Sequence, residues 1–146
     1  MRKSVAIIIA AATMLSLPVT ASAKSGDQRR AEAVAKAEAK LAKMLDGRVA
    51  GEPRNCIFLP GIRSSRIVDR TAIVYDAGRT LWVNRPRSGA STLDDDDIMV
   101  TNLYGSGSQL CSIDIVRLHD RTGHFYSGFV ALGEFVPYRK VASASN

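Results

Sequence analysis

From Cys56 onward the hydrophobic pattern never sustains the period of an amphipathic helix. Short runs rich in Ile, Val, Tyr, Leu and Thr alternate instead with Gly, Asp, Ser and Asn, the pattern of brief strands separated by tight turns. The spacing predicts strands at residues 56–59, 66–68, 71–75, 80–84, 98–104, 112–118 and 125–132, with a last short one at 135–138. Asp76-Ala77-Gly78-Arg79 supplies a hairpin turn and Gly105-Ser106-Gly107-Ser108 a longer loop. No βαβ alternation occurs, which argues against a parallel nucleotide-binding sheet. The expected fold is mainly β: a small antiparallel sheet curling toward a barrel, preceded by one N-terminal α-helix.

That helix is expected over residues 27–46, where Ala, Glu, Lys, Leu, Arg and Met dominate. Asp27 is placed to cap its start, and Gly47 lies just past its end. Lys36, Lys40 and Lys43 put positive charge toward the C-terminal end, where the helix dipole favours it. Val34, Leu41 and Leu45 trace a stripe poor in large side chains, which predicts a loosely docked helix or an extended arm. The heptad is not sustained, so a coiled coil is disfavoured. The expected organisation is a leader at 1–23, a helical segment at 24–47, a linker with Gly51 and Pro53 at 48–55, a β-rich domain at 56–140 and a disordered tail at 141–146.

The leader has the three-part layout of a secretory signal peptide: Arg2 and Lys3, an apolar run over 5–17 broken by Pro18, then Ala21-Ser22-Ala23. A membrane-spanning helix needs about 20 apolar residues, so cleavage between Ala23 and Lys24 is expected rather than anchorage. No cysteine precedes Cys56 to carry a lipid. The expected product is a soluble periplasmic or secreted protein with no membrane span after cleavage.

Removing the leader takes away two basic residues and no acidic one, lowering the net charge from +6 to +4. Eight arginines stand against Glu52, Asp69 and Asp76 over residues 48–92, whereas six aspartates stand against Arg117 over 93–120. Neighbouring blocks of opposite sign meet each other or solvent, so a polyanion site is disfavoured and nucleic acid is not an expected partner. Cys56 and Cys111 are an even pair in an exported chain, which favours a disulfide. The alternative, a reactive thiol, has no CxxC and no histidine adjacent in sequence to support it.

The β-rich part resembles a family of small exported proteobacterial proteins classed as a domain of unknown function, number 6491. The resemblance is carried by Cys56-Ile57 with Leu59 and Ile62, then Arg66-Ile67-Val68-Asp69, Thr71-Ala72-Ile73-Val74-Tyr75 and Val83-Asn84-Arg85-Pro86. Leu110-Cys111-Ser112, Asp114-Ile115-Val116, Leu132-Gly133 and Phe135-Val136-Pro137-Tyr138 complete it, over residues 56–138. Family members often carry two further cysteines, near Ala90 and near Val130, and both positions here lack a thiol. The resemblance therefore implies that one bridge is lost and Cys56 is left with Cys111. It implies no activity, substrate or catalytic residue.

Candidate chemistry is sparse. His119 and His124 bracket Asp120-Arg121-Thr122-Gly123, an expected exposed turn; two imidazoles fall short of the four ligands of a closed zinc site. Asp94, Asp95, Asp96 and Asp97 are adjacent carboxylates without the alternating ligands and glycine of a calcium loop. Asp94 can cap a turn while the rest are solvated or balanced by arginines. The loop at 105–108 lacks the lysine of a phosphate cradle and the framing of a serine nucleophile. Tyr75, Trp82, Tyr104, Tyr126 and Tyr138, interleaved with Arg63, Arg66, Arg79, Arg85 and Arg87, are a candidate stacking surface, although strand alternation sends half of them to the core. In Asn84-Arg85-Pro86, the proline ends a ladder and the polar pair is placed to pin that end.

No catalytic residue, cofactor or metal is assigned on these grounds. The expected function is non-enzymatic: a binding or accessory protein of the bacterial cell envelope, with an envelope protein or a glycan as partner. The alternative is a small metal-dependent hydrolase using His119, His124 and the four aspartates at 94–97.

Overall fold

The computed structural model describes residues 25–103 and 107–141. Helix α1 (Gly26–Met44) is followed by ten short strands: β1 (Arg48–Ala50), β2 (Cys56–Phe58), β3 (Ser64–Val68), β4 (Ala72–Asp76), β5 (Thr80–Asn84), β6 (Ile98–Asn102), β7 (Gln109–Cys111), β8 (Ile115–His119), β9 (Tyr126–Ala131) and β10 (Phe135–Lys140). They form a five-stranded sheet in the order β1-β10-β5-β4-β3, a three-stranded sheet β6-β8-β9 and a β2-β7 pair. Every pairing is antiparallel. The molecule is mainly β with one N-terminal helix, and its sheets curl around a common core without closing into a barrel.

Strand alternation gives the five-stranded sheet two apolar faces. Val68, Ala72, Val74, Leu81 and Val83 cluster with Ala37 and Leu41 of α1 on one side. Ile67, Ile73, Tyr75 and Phe135 point to the other, where Leu110, Val116, Leu118, Val130 and Leu132 complete the larger core. The sheet is the middle of three layers, with the helix over one face and the remaining strands over the other.

The helix differs from its expected form in two ways. Ser25, not Asp27, is its N-cap: the Ser25 hydroxyl accepts from the Gln28 amide at 3.3 Å, and the Gln28 side chain accepts from the Ser25 amide at 3.2 Å. Asp27 sits within the first turn, where the dipole still favours its charge. Nor is α1 a loose arm. Ala37 and Leu41 are buried against the sheet, Ala37 being small enough to let the two backbones approach. Glu38 takes both arms of the Arg85 guanidinium at 2.6 and 2.9 Å, and Lys40 reaches Asp95 at 2.7 Å.

The segment expected as linker carries a strand. β1 pairs with β10 through Arg48↔Lys140, Val49↔Arg139 and Ala50↔Tyr138. Beyond it the Gly51 amide donates to the Pro137 carbonyl at 2.7 Å, and Arg54 exchanges backbone bonds with Phe135. Neighbouring amide and carbonyl groups of one strand residue point the same way, so the N–H that Pro137 lacks faces the end of β1 and the short ladder stops there.

Cys56 and Cys111 are register partners in the β2-β7 pair and are joined by a disulfide. The Ser112 amide donates to the Asn55 carbonyl at 2.7 Å, which makes the cysteines the adjacent, non-hydrogen-bonded pair, where side chains lie closest. Asn84, fully buried at the end of β5, pins the β9-β10 connection as its sequence setting suggested. Its Nδ2 donates to the Gly133 carbonyl at 2.6 Å, and its Oδ1 accepts from the Gly133 amide at 3.2 Å. Gly89, at φ 77°, fits where any Cβ would collide with the Phe129 carbonyl, which allows the chain before the 3-10 turn at Ala90–Thr92 to lie against β9.

Candidate functional site

One of the open seams between the sheets lies between β3 and β6. β3 ends the five-stranded sheet and β6 ends the three-stranded one, so each has a ladder on one side only. Among the described residues no backbone hydrogen bond joins them. The seam is nevertheless tied at both ends. At one end the Arg70 amide donates to the Leu93 carbonyl at 3.0 Å and the Asp95 amide to Asp69 Oδ1 at 2.8 Å. At the other the Leu59 amide donates to the Ser108 carbonyl at 2.9 Å.

Between these ties lie two clefts that share Ser65 and Met99. One, of about 280 Å³, is walled by Leu59, Ile62, Tyr75, Met99 and Leu110, with Ser64 and Thr101 at its sides. The other, of about 360 Å³, is bordered by Ser65, Ile67, Asp97, Met99, Lys40 and Arg121. The end of β3 and the start of β6 share the second cleft, so the two strands run in opposite directions across the gap. Burial pushes the pKa of the Tyr75 hydroxyl up, so it stays protonated in this wall.

Each of the four adjacent aspartates has its own role. Asp94 Oδ1 accepts from the Asp96 amide, so Asp94 does cap a turn. Asp95 pairs with Lys40 and Asp96 with Arg121 at 3.3 Å. Asp97 Oδ1 accepts from the Ser127 hydroxyl at 2.9 Å, while its Oδ2 is shielded from solvent and has no donor. The balancing charges are thus Lys40 and Arg121, neither of which belongs to the arginine-rich block at 48–92.

Asp69, Asp94 and Asp95 bring carboxylate oxygens within 4.8 Å of one another beside a cleft of about 940 Å³ under α1. The Asp95 carboxylate holds the Lys40 pKa above its usual value, with burial opposing and the charges of Asp95 and Asp69 adding to the rise. Lys40 therefore already supplies a cation to this group, and three oxygens fall short of the six to eight that calcium takes. Both histidines lie outside it. They flank the expected exposed turn, closed by the Asp120 amide on the Phe125 carbonyl and by the Gly123 amide on Asp120 Oδ1. His119 Nδ1 lies 3.3 Å from the His124 carbonyl, and its ring meets Tyr126 edge-on.

The aromatic and arginine residues do not form one stacking surface. Tyr75 and Trp82 belong to the larger core, Tyr138 to the helix side, and Arg85 is engaged by Glu38. Tyr104, Gly105 and Ser106 lie outside the described residues, as does the leader with its expected cleavage between Ala23 and Lys24. No helix among the described residues is long and apolar enough to cross a membrane.

No family model, curated protein or solved structure matches this chain. The seam is therefore judged on its own geometry. Sequence reasoning did not find it, because Ser65, Met99 and Thr101 have no chemical signature. The available signal was indirect: Ser64 and Ser65 open a strand with small polar residues, as suits an unpaired edge.

Proposed function

We propose that this chain is an exported, non-enzymatic binding or accessory protein of the bacterial cell envelope, and that it holds its partner at the seam between β3 and β6. One observation carries the reading: two unpaired strand edges face each other across a pair of clefts whose ends are tied. Unpaired backbone donors and acceptors are a template for further pairing, and natural folds otherwise cover or blunt them. The disulfide and the leader-like residues 1–23 support export, since such bridges persist outside the reducing cytosol. The resemblance to the unknown-function family fits an exported domain and adds no activity.

The test is site-specific photo-crosslinking in a bacterial envelope, with the photoreactive residue at Ser65 and a control at exposed Val49 on β1, the far edge of the sheet. The expected result is a discrete protein or glycan adduct from position 65 alone, lost when Met99→Arg blocks the clefts. Equal labelling from both positions, or an uncleaved chain retained in the cytosol, would overturn the proposal.

The hydrolase alternative would now rest on Asp69, Asp94 and Asp95, the carboxylates that lie together. A thermal midpoint raised by added Mg²⁺, Ca²⁺ or Mn²⁺, and unresponsive in Asp94→Asn, would favour it.

A further inference from the structure

We infer that a second copy of this chain docks on the outer face of the β6-β8-β9 sheet, around a two-fold axis that sets each Arg117 against the other copy's Phe129. The inference is independent of what the seam holds.

Strand alternation gives this sheet an inner face of Val116, Leu118 and Val130, which fills the core, and an outer face in solvent. The register lines up three rows across the outer face: Ile98, His119 and Tyr126; Val100, Arg117 and Phe129; Asn102, Ile115 and Ala131. Tyr126 and Phe129 are three residues apart, so plain alternation would turn them to opposite faces. Leu118 pairs with Gly128 but His119 with Tyr126, which makes Ser127 an extra residue in β9, and this bulge aims both rings outward. Tyr126 remains 58% exposed and Phe129 48%, beside Val100 at 41% and Ile115 at 39%. Phe125, next to Tyr126 at the hairpin end, is 77% exposed.

The area and composition of the face fit a protein partner. At about 150–250 Å² for each aromatic side chain, these five residues leave on the order of 500 Å² of apolar surface. Arg117 and His119 bring the face toward the roughly 800 Å² per partner of a standard interface, a size that suits a reversible dimer. No Lys, Asp or Glu stands in the three rows, and interface cores favour aromatic residues and arginine over those three.

Self-complementarity selects a second copy of this chain. Arg117 is the one fixed charge in the rows and has no carboxylate partner among the described residues. A two-fold axis parallel to the strands, midway between β8 and β9, lays each β8 over the other copy's β9. Sheets stacked in this way are nearly aligned and about 10 Å apart. Arg117 then meets the second copy's Phe129, and His119 the second copy's Tyr126, each contact occurring twice. A guanidinium on a ring face is attracted, most strongly once water is excluded. Because β6 lies on the far side of β8 from the axis, both seams stay at the outer margins and the dimer presents two of them.

The experiment is sedimentation equilibrium of the disulfide-intact chain from about 1 to 500 μM, the range that detects a weak dimer. A monomer–dimer equilibrium is expected. Phe129→Arg sets arginine against arginine, and Arg117→Glu sets a carboxylate against a ring, so each should weaken the dimer about tenfold or more. Mixing the two variants should restore it, since one contact becomes arginine on glutamate and the other is again Arg117 on Phe129. Thermal unfolding at low concentration, unchanged in both, separates lost docking from lost fold. In the otherwise unaltered chain, a photoreactive phenylalanine analogue at position 129 should crosslink to the second copy's Arg117. A chain that is monomeric throughout, a dimer indifferent to both substitutions, or no restoration on mixing contradicts the inference. A monomeric chain that still gives its adduct at position 65 leaves the envelope-binding reading standing while the dimer falls.

Discussion

Asn84 is the residue whose removal reaches furthest. Both polar ends of its side chain are spent on the backbone of Gly133, inside a site with no access to water. Asn84→Ala would leave one buried N–H and one buried C=O without that partner. At about 1–3 kcal/mol for each such group, the expected loss is about 2–6 kcal/mol in urea unfolding. A loss under about 1 kcal/mol would show that water replaces the amide. This residue was legible in the sequence because a polar residue before Arg85-Pro86 marks a strand end that needs fixing. The aspartate run was legible only in part: Asp94 caps its turn as expected, but the partners Lys40 and Arg121 are distant in sequence and no local pattern reveals them.

Among the elements, β5 matches its expected bounds because Gly78 and Pro86 frame it closely. β8 does not. Its expected start at 112 falls in a turn where Asp114, fully buried, accepts the Cys111 amide on Oδ2 at 2.7 Å, and the strand begins only at Ile115. β1 was hidden because Gly51 and Pro53 signal a break, and a three-residue edge strand is too short to outweigh them. The helix was legible, but its docking was not, since that depends on the depth of the groove that accepts Ala37. Leu41→Ala should cost about 2–5 kcal/mol by thermal or urea unfolding, where an undocked arm would lose almost nothing.

The ion pairs that flank the helix add a weaker, pH-dependent contribution. The Arg85 hydrogen bonds hold the Glu38 carboxyl below its usual 4.5, outweighing the desolvation that opposes them. That contribution is complete above pH 4.5 and disappears as acid titrates through the lowered value. Lys40 behaves in the opposite sense: its share is complete below pH 10.5 and is lost as base titrates through its raised value. Both pairs are about half exposed, so each is worth under about 1 kcal/mol. Replacing Arg85 with Gln should flatten the acid limb of stability against pH and leave the basic limb unchanged.

At the scale of the whole molecule, the disulfide closes a 55-residue loop that contains β3 to β6 and the helix-facing core residues of β3, β4 and β5. In the chain-entropy account such a loop stabilises by about 4 kcal/mol, a large share of a small domain's roughly 5–15 kcal/mol. Reduction, or Cys56→Ala, should lower stability by about 2–5 kcal/mol, and an unchanged melting temperature after reduction would contradict this. The sequence patterns reach the class and the antiparallel pairing. They do not reach the three-layer stack or the missing closure, because strand order depends on contacts between residues far apart in the chain.

The middle sheet has one more consequence, for the order in which the molecule breathes. β4 and β5 have a strand on either side and a hydrophobic layer over each face, so their amides open only when both cores come apart. In β3 and β6, the alternate amides that point into the seam have no ladder partner among the described residues. Hydrogen–deuterium exchange should therefore show an alternating fast and slow pattern along β3 and β6 beside uniformly slow strands. The fast half is the set of protons that a partner held at the seam would slow.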